Sequence, residues 1–392
     1  MQFQAAEGEG EARAWGREEQ DALQEALRSL ARPRFTGSTG AAEAAAELRR
    51  RFEALGYQVA ELRFGFSTWP GRFGLPAIGV VYLAGIGLSA WALARGRPGT
   101  ALLALLAAAA AVALLGAWFP VAIARLPWGR VETANWLVFR PGARPEYLVV
   151  AHRDSKSQPV STFTRAGGIL LAAFAWLALA VQALLALIDP AWRWAPGLLA
   201  AGGLGAAAGL VLGVCRAGNG SPGALDNATG LAALLALARR EAERDDVAFL
   251  VTDGEELGLA GARAACRQLP PARGVINLDG LDDEGAFHVV EGHRWPQHGP
   301  ASDLAASLLS AAGALGFEVR RRSLPPWLLV DHVPFARVGL PAVTLMRGTP
   351  GSLRRVHRPE DDAGALTGAG VAAAVAVVAR ALDGLRERAA RG

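Results

Sequence analysis

Tyr147-Leu148-Val149-Val150-Ala151-His152-Arg153-Asp154 is the run on which the topology turns. Its first five residues are mostly aliphatic, two of them β-branched, and they follow Pro145, so they read as a buried strand. In an extended chain, side chains two apart share a side, so His152 and Asp154 leave the strand's end together. A neutral imidazole is a common metal ligand, and a carboxylate beside it fixes its tautomer and orientation. Taken singly, a His and an Asp after a strand are polar residues opening a loop.

The chain on either side alternates strands and helices. Upstream, helices are expected over 19–31 and 41–55, the second stopped by Gly56, followed by strands over 57–64 and 133–140. Arg140-Pro141-Gly142-Ala143-Arg144-Pro145 is the turn into the strand at 146–151. Downstream, helices are expected over 228–243, up to 268, over 302–315 and over 364–386. Strands are expected over 247–252, 274–278, 286–291, 317–323 and 341–346. This alternation predicts an α/β fold, a mixed and mostly parallel sheet sandwiched by helices. The tight 140–145 turn adds the expectation of an antiparallel meander of 57–64, 133–140 and 146–151.

Four long apolar stretches, in two pairs, interrupt that pattern. Residues 74–94, 100–124, 166–188 and 197–215 carry no charge, and at 1.5 Å per residue each spans a bilayer core of about 30 Å. Trp69, Trp118, Trp128, Trp192 and Trp194 lie at their edges, where indole rings favour the interface. Gly205, Gly209 and Gly213 line one face of the fourth span and allow a neighbouring helix to approach closely. Residues 73–125 and 166–216 are therefore expected to be transmembrane hairpins inserted into one domain made of 1–72, 126–165 and 217–392. With the hairpins and their flanks set aside, about 270 residues remain, a reasonable size for one α/β domain.

Charge agrees with a bilayer partner. The net charge of the 392 residues is +4, Lys156 is the sole lysine, and no basic block is interleaved with aromatics, which argues against a nucleic-acid partner. Arg63, Arg72, Arg125, Arg130, Lys156, Arg165 and Arg216 flank the spans on the domain side, against Arg95, Arg97 and Arg193 in the outer loops. That excess predicts a multi-pass protein of the cell (inner) membrane with its domain in the cytoplasm. Cys215 and Cys266 lie far apart, which fits a reducing compartment, and residues 1–20 lack the apolar core of a secretory signal.

Potential ligands recur where strands end: Asp226, the pair Glu255 and Glu256, Asp279 after Leu278, and His357. Open α/β sheets place their sites at the carboxyl ends of strands. Each residue has a plain explanation of its own, a helix cap for Asp226 and polar turns or surface for the others. Together, two His and several carboxylates suit divalent zinc.

These residues lie in ordered motifs: His152-Arg153-Asp154-Ser155, Leu225-Asp226-Asn227-Ala228-Thr229-Gly230, Gly254-Glu255-Glu256-Leu257-Gly258-Leu259, Asn277-Leu278-Asp279, Asp331-His332-Val333-Pro334-Phe335 and His357-Arg358-Pro359-Glu360-Asp361. The set resembles family twenty-eight of the metallopeptidases, the co-catalytic di-zinc aminopeptidases, over residues 35–64 and 133–385 outside the hairpins. The resemblance implies two zinc ions, one held by His152 and Asp279, the other by Glu256 and His357, with Asp226 bridging. It implies Glu255 as the general base and Asp154 as the group that orients His152. Asp331 and His332 would stand near the substrate pocket. Arg153, where the family often has an aromatic or other residue, and the inserted hairpins depart from its pattern.

The expected activity is exopeptidase hydrolysis of peptides, in particular from the amino end. If the meander holds, both hairpins emerge from the sheet edge that carries the metals, and substrates would be membrane-associated or apolar peptides. Three other readings stand beside it. Glutaminyl cyclisation is performed by related folds with one zinc, and a non-catalytic receptor or assembly subunit would keep the fold but lose ligands. A transporter would need a charged residue within the spans, and none is there.

Overall fold

The computed structural model describes residues 17–192, 194–269, 272–292, 303–324 and 329–391. Most of the amino-terminal segment read above and Arg193 of an outer loop lie outside them. The strands are β1 (Gln58–Ser67), β2 (Arg130–Phe139), β3 (Tyr147–His152), β4 (Val247–Thr252), β5 (Gly274–Leu281), β6 (Ala286–Gly292), β7 (Val319–Ser323) and β8 (Ala342–Gly348). Among the described residues they form one sheet in the order β1-β2-β4-β3-β5-β8-β6-β7. The helices are α1 (Arg17–Leu30), α2 (Thr39–Ala54), α3 (Trp69–Ala94), α4 (Pro98–Arg125), α5 (Thr162–Ile188) and α6 (Ala195–Val214). They continue with α7 (Thr229–Arg240), α8 (Ala260–Gln268), α9 (Asp303–Ala314), α10 (His332–Arg337), α11 (Ser352–Arg355) and α12 (Ala369–Arg391).

β3 is parallel to both β4 and β5, and β5 to β8, while β2 and β6 run antiparallel to their neighbours β4 and β8. The sheet is thus mixed and mostly parallel, as its sequence pattern predicts. All six residues of β3 are buried. Tyr147, Val149 and Ala151 join one core with α1, α2, α7, α9 and α12, and Leu148 and Val150 join another with α8 and α10. The period of two sends alternate side chains to opposite faces, so an unbroken aliphatic strand needs helices on both.

The expected meander is corrected. β4 lies between β2 and β3, so the 140–145 turn does not close a hairpin. The segment that follows it passes the start of β4, with Arg144 N donating to Asp245 O (3.0 Å) and Glu146 N to Asp246 O (2.7 Å). A strand that is apolar on both faces is satisfied at the centre of a sheet between parallel neighbours, and β2, half exposed along its length, belongs nearer the edge. Because β2 is antiparallel to β4, its start still shares an edge with the carboxyl ends of β3 and β4. A second difference concerns β5, which runs on through Asp279 to Leu281 with a bulge between Leu278 and Leu281. Gly280 takes φ +67° there, a conformation glycine adopts at low cost.

The chain forms two compact units. One comprises the chain up to Phe66, Val131–Ser157 and the chain from Asn219 onward, and the other comprises Ser67–Arg130 and Gln158–Gly218. The second is a bundle of α3–α6, each helix long and apolar enough to cross a membrane. Its buried positions include many Ala and Gly, while Leu103, Leu114, Ile188 and Leu199 face outward. α6 packs its glycine face on α3. A Cβ on Gly79 would meet Gly213 N at 2.5 Å, and one on Gly209 would meet the Leu83 side chain at 2.5 Å.

Candidate metal centre

Loops and strand ends of the sheet unit deliver the five candidate ligands. His152 closes β3, Asp226 stands in the 224–228 turn before α7, and Glu256 follows β4. Asp279 sits at the β5 bulge, and His357 follows α11. His152 Nε2 lies 3.1 Å from Asp226 Oδ1 and 3.7 Å from Asp279 Oδ1. His357 Nε2 lies 3.1 Å from Asp226 Oδ2 and 3.1 Å from Glu256 Oε2. The two oxygens of Asp226 therefore face two separate donor sets, each with its ligand atoms within 4.8 Å of one another.

The donor set fits metal. Zinc–ligand bonds of about 2.0–2.2 Å in tetrahedral array put ligand atoms about 3.3–3.6 Å apart, close to the 3.1–3.7 Å between histidine nitrogen and carboxylate oxygen here. His152 Nε2 is buried and has no hydrogen bond of acceptable geometry, although Asp226 Oδ1 is close; a cation between the two would satisfy both. Charge makes the same demand. Burial alone would raise the Asp226 carboxyl, but hydrogen bonds and charge from His152 and His357 hold it well below its ordinary range. Burial alone would lower His152, yet Glu255, Asp154, Asp226 and Asp279 raise it well above an ordinary imidazole. Buried carboxylates in this density call for cations.

Glu255 belongs to neither ligand set. Burial pushes its carboxyl well above the ordinary range, with the negative neighbours Glu256, Asp279 and Asp331 adding to the shift. Asp154 does more than face His152. His152 Nδ1 lies 3.1 Å from the Asp154 main-chain oxygen and 3.5 Å from its Oδ1. The Asp154 carboxylate meanwhile accepts the amides of Glu255 (3.2 Å) and Glu256 (3.1 Å), tying the loop after β3 to the loop after β4. Asp331 and His332 have no exposed surface. Asp331 hydrogen bonds Thr252 Oγ1, and His332 Nδ1 lies 2.7 Å from Thr344 Oγ1, so both are tied to strand residues beside the candidate ligands.

The structure adds residues that spacing did not single out. Arg34 is wholly buried and donates to five carbonyls: Leu30 (2.6 Å), Arg32 (3.0 Å), Arg153 (2.9 Å), Pro222 (2.6 Å) and Gly223 (2.9 Å). It joins the loop before α2 to those carrying His152 and Asp226, and burial lowers its pKa to about 10. Asp361 accepts the amides of Leu225 (2.7 Å) and Asp226 (3.2 Å), and Asn227 Nδ2 donates to Leu278 O (2.8 Å). Both stood inside quoted motifs, which was the signal available. Arg153 has its own explanation: it pairs with Asp253 (3.1 Å) and lies over the Trp136 ring at 4.6 Å. Lys156, counted above among charges flanking the spans, instead places Nζ 2.7 Å from Glu256 Oε2.

Residues 208–382 match the family model described as peptidase family M28. Among solved structures the chain is similar to an aminopeptidase from Aneurinibacillus sp. strain AM-1, with a TM-score of 0.54 and 13% identity, covering 93% of each chain. It is similar to a glutaminyl cyclase from Porphyromonas gingivalis, with a TM-score of 0.54 and 14% identity, covering 93% of this chain and 98% of that one. It is also similar to BSAP, a zinc aminopeptidase from Bacillus subtilis, with a TM-score of 0.53 and 15% identity, over 93% of this chain and 94% of that one. At these identities the likeness is one of fold. No curated protein sequence matches the chain.

Proposed function

We propose that this chain, whose residues 208–382 match the model of peptidase family M28, is a member of that family and a membrane-embedded zinc exopeptidase that holds two ions and removes residues from the amino end of peptides. The observation that carries the two-ion reading is Asp226, with Oδ1 3.1 Å from His152 Nε2 and Oδ2 3.1 Å from His357 Nε2. Bound zinc would supply the Lewis acidity that lowers a water's pKa toward 7 and polarises the scissile carbonyl.

The rest falls to side chains of this chain. Glu255 is the general base: its carboxylate takes the proton of the attacking water and delivers it to the leaving amine. Burial and its negative neighbours raise its pKa, which favours uptake of a proton from the water. Asp154 holds the amides of Glu255 and Glu256 together with the His152 ring, so the base and a ligand of each set keep one geometry. Asp361 fixes the backbone at Asp226 through two amides.

The substrates are apolar or membrane-associated peptides. Four helices long and apolar enough to cross a membrane support this. The arginine excess beside the spans supports a cytoplasmic sheet unit. A cysteine placed at the exposed Glu284 in spheroplasts would then be closed to a membrane-impermeant maleimide, and labelling from outside would reverse the orientation.

The deciding experiment is metal analysis of detergent-purified protein, assayed with a panel of aminoacyl fluorogenic substrates and with peptides bearing amino-terminal glutamine. Two zinc per chain with aminoacyl hydrolysis is expected. Zinc-loaded protein that hydrolyses none of the panel sinks the peptidase reading. Glutaminyl cyclisation with one zinc is the second reading, and the contact of Lys156 with Glu256 is the observation on its side.

A further inference from the structure

The two donor sets are not equally furnished. In the first, His152 is backed on its second nitrogen by Asp154, through the main-chain oxygen at 3.1 Å and Oδ1 at 3.5 Å. Among the described residues no Lys or Arg pairs with Asp279. In the second set, His357 Nδ1 is buried and meets no hydrogen-bond partner among the described residues. Its backbone sits at φ 65°, in the left-handed region that a His occupies at a cost. A ligating His is ordinarily held by an acceptor on its other nitrogen, and losing that partner weakens metal affinity by about 10- to 100-fold.

Lys156 adds a second, independent difference. Its side chain is 15% exposed, and Nζ stands 2.7 Å from Glu256 Oε2, the oxygen that also faces His357 Nε2 at 3.1 Å. Nζ further lies 3.3 Å from the Glu256 main-chain oxygen, and the Lys156 amide donates to Glu256 Oε1 at 3.2 Å. Both carboxylate oxygens of Glu256 are therefore engaged from one residue. An ammonium bound to a ligand oxygen competes with an incoming cation for that oxygen and repels it.

We propose that the two halves hold their ions with unequal strength, and that Lys156 acts as a built-in cation that makes the Asp226–Glu256–His357 half the weaker, exchangeable one. The inference rests on the two-ion reading above. It makes Lys156 a positioning residue for Glu256, one that keeps this half in shape when metal is scarce and yields as metal rises.

The test is zinc titration of the full-length, detergent-purified, chelator-stripped chain against a chromophoric chelator, with melting curves as a check on folding. The wild type should show a tight and a weak constant. Lys156→Met should tighten the weak constant at least tenfold and leave the tight one in place, and Lys156→Arg should keep the wild-type separation. His152→Ala should retain a single ion at the weak constant. Unchanged constants in Lys156→Met, or two equal constants in the wild type, overturn the proposal and leave the two-ion reading standing. One ion in the wild type and in Lys156→Met alike overturns both.

Discussion

In the sheet unit Arg34, Asp154, Glu255, Glu256, Asp279, Asp331 and Asp361 are buried, and the outer faces of its helices carry Arg and Glu. In the helical unit the pattern is turned over. Leu103, Leu114, Ile188 and Leu199 are 69%, 70%, 82% and 76% exposed, while Ala101, Ala175, Ala183 and Ala208 are wholly hidden. Two regions of one chain thus follow opposite rules of burial, the pattern expected if the helical unit meets lipid and the sheet unit water. In water, each large apolar side chain left fully exposed forgoes roughly 1.5–3 kcal/mol of burial free energy, and a charge hidden without partners costs still more. In a bilayer the apolar exterior costs nothing, and helices associate through the close packing that small residues permit.

The largest expected effect lies in the sheet unit. Glu255→Gln should lower turnover by about 10²- to 10⁴-fold with zinc content unchanged, because it removes a proton acceptor and leaves both ligand sets whole. Normal turnover in that variant would mean that another group carries the proton. The contrast in solvent is tested next by Leu114→Arg. On a lipid-facing helix an Arg near the centre costs about 2.5–3.5 kcal/mol of insertion free energy, so recovery of membrane-inserted protein should fall. Improved solubility without detergent would show instead that this face meets water.

Gly209→Leu probes the interior of the same bundle. With the Leu83 side chain already 2.5 Å from where a Cβ would stand, overpacking of about 1–3 kcal/mol is expected, read as a lower melting temperature in detergent. Tolerance of the leucine would mean that α3 and α6 are not in register as described. The last effect concerns pH and builds up gradually, unit by unit. Burial raises Asp331 from 3.8 to about 7, so on raising pH the unfolded chain loses this proton before the folded one does. Its contribution to stability therefore declines across about pH 4 to 7 and is lost in full above 7, with a slope of at most about 1.4 kcal/mol per pH unit. Asp331→Asn abolishes that slope, so its advantage over wild type in denaturant midpoint should widen as pH rises through the window. Parallel curves would place the buried proton elsewhere.

Legibility differed between these regions for physical reasons. The spans could be read from composition alone, since twenty-odd uncharged apolar residues in a row satisfy one requirement wherever they are packed. The candidate ligands could be read as residue types at strand ends, because divalent cations accept few side chains and open sheets offer few places for them. Arg34 gave no such sign. Its five carbonyl partners come from segments as far off as Gly223, and a backbone carbonyl is the same group in every residue. Lys156 was visible as the sole lysine, yet its position six residues before a helix suggested the membrane interface and not Glu256, a hundred residues away.

What the residues by themselves determined is local or compositional: the period of two in β3, the helical stretches, four apolar runs long enough to cross a membrane, and an inventory of imidazoles and carboxylates fit for metal. The order of strands was decided in three dimensions. A tight Pro-Gly turn favours pairing β2 with β3, but burying both faces of β3 between β4 and β5 outweighs it, and that balance involves residues a hundred positions apart. The same holds for the bulge that presents Asp279 and for the different surroundings of the two donor sets. Local preferences are written into short windows of chain, whereas partners across a sheet or a site are chosen by the free energy of the whole fold.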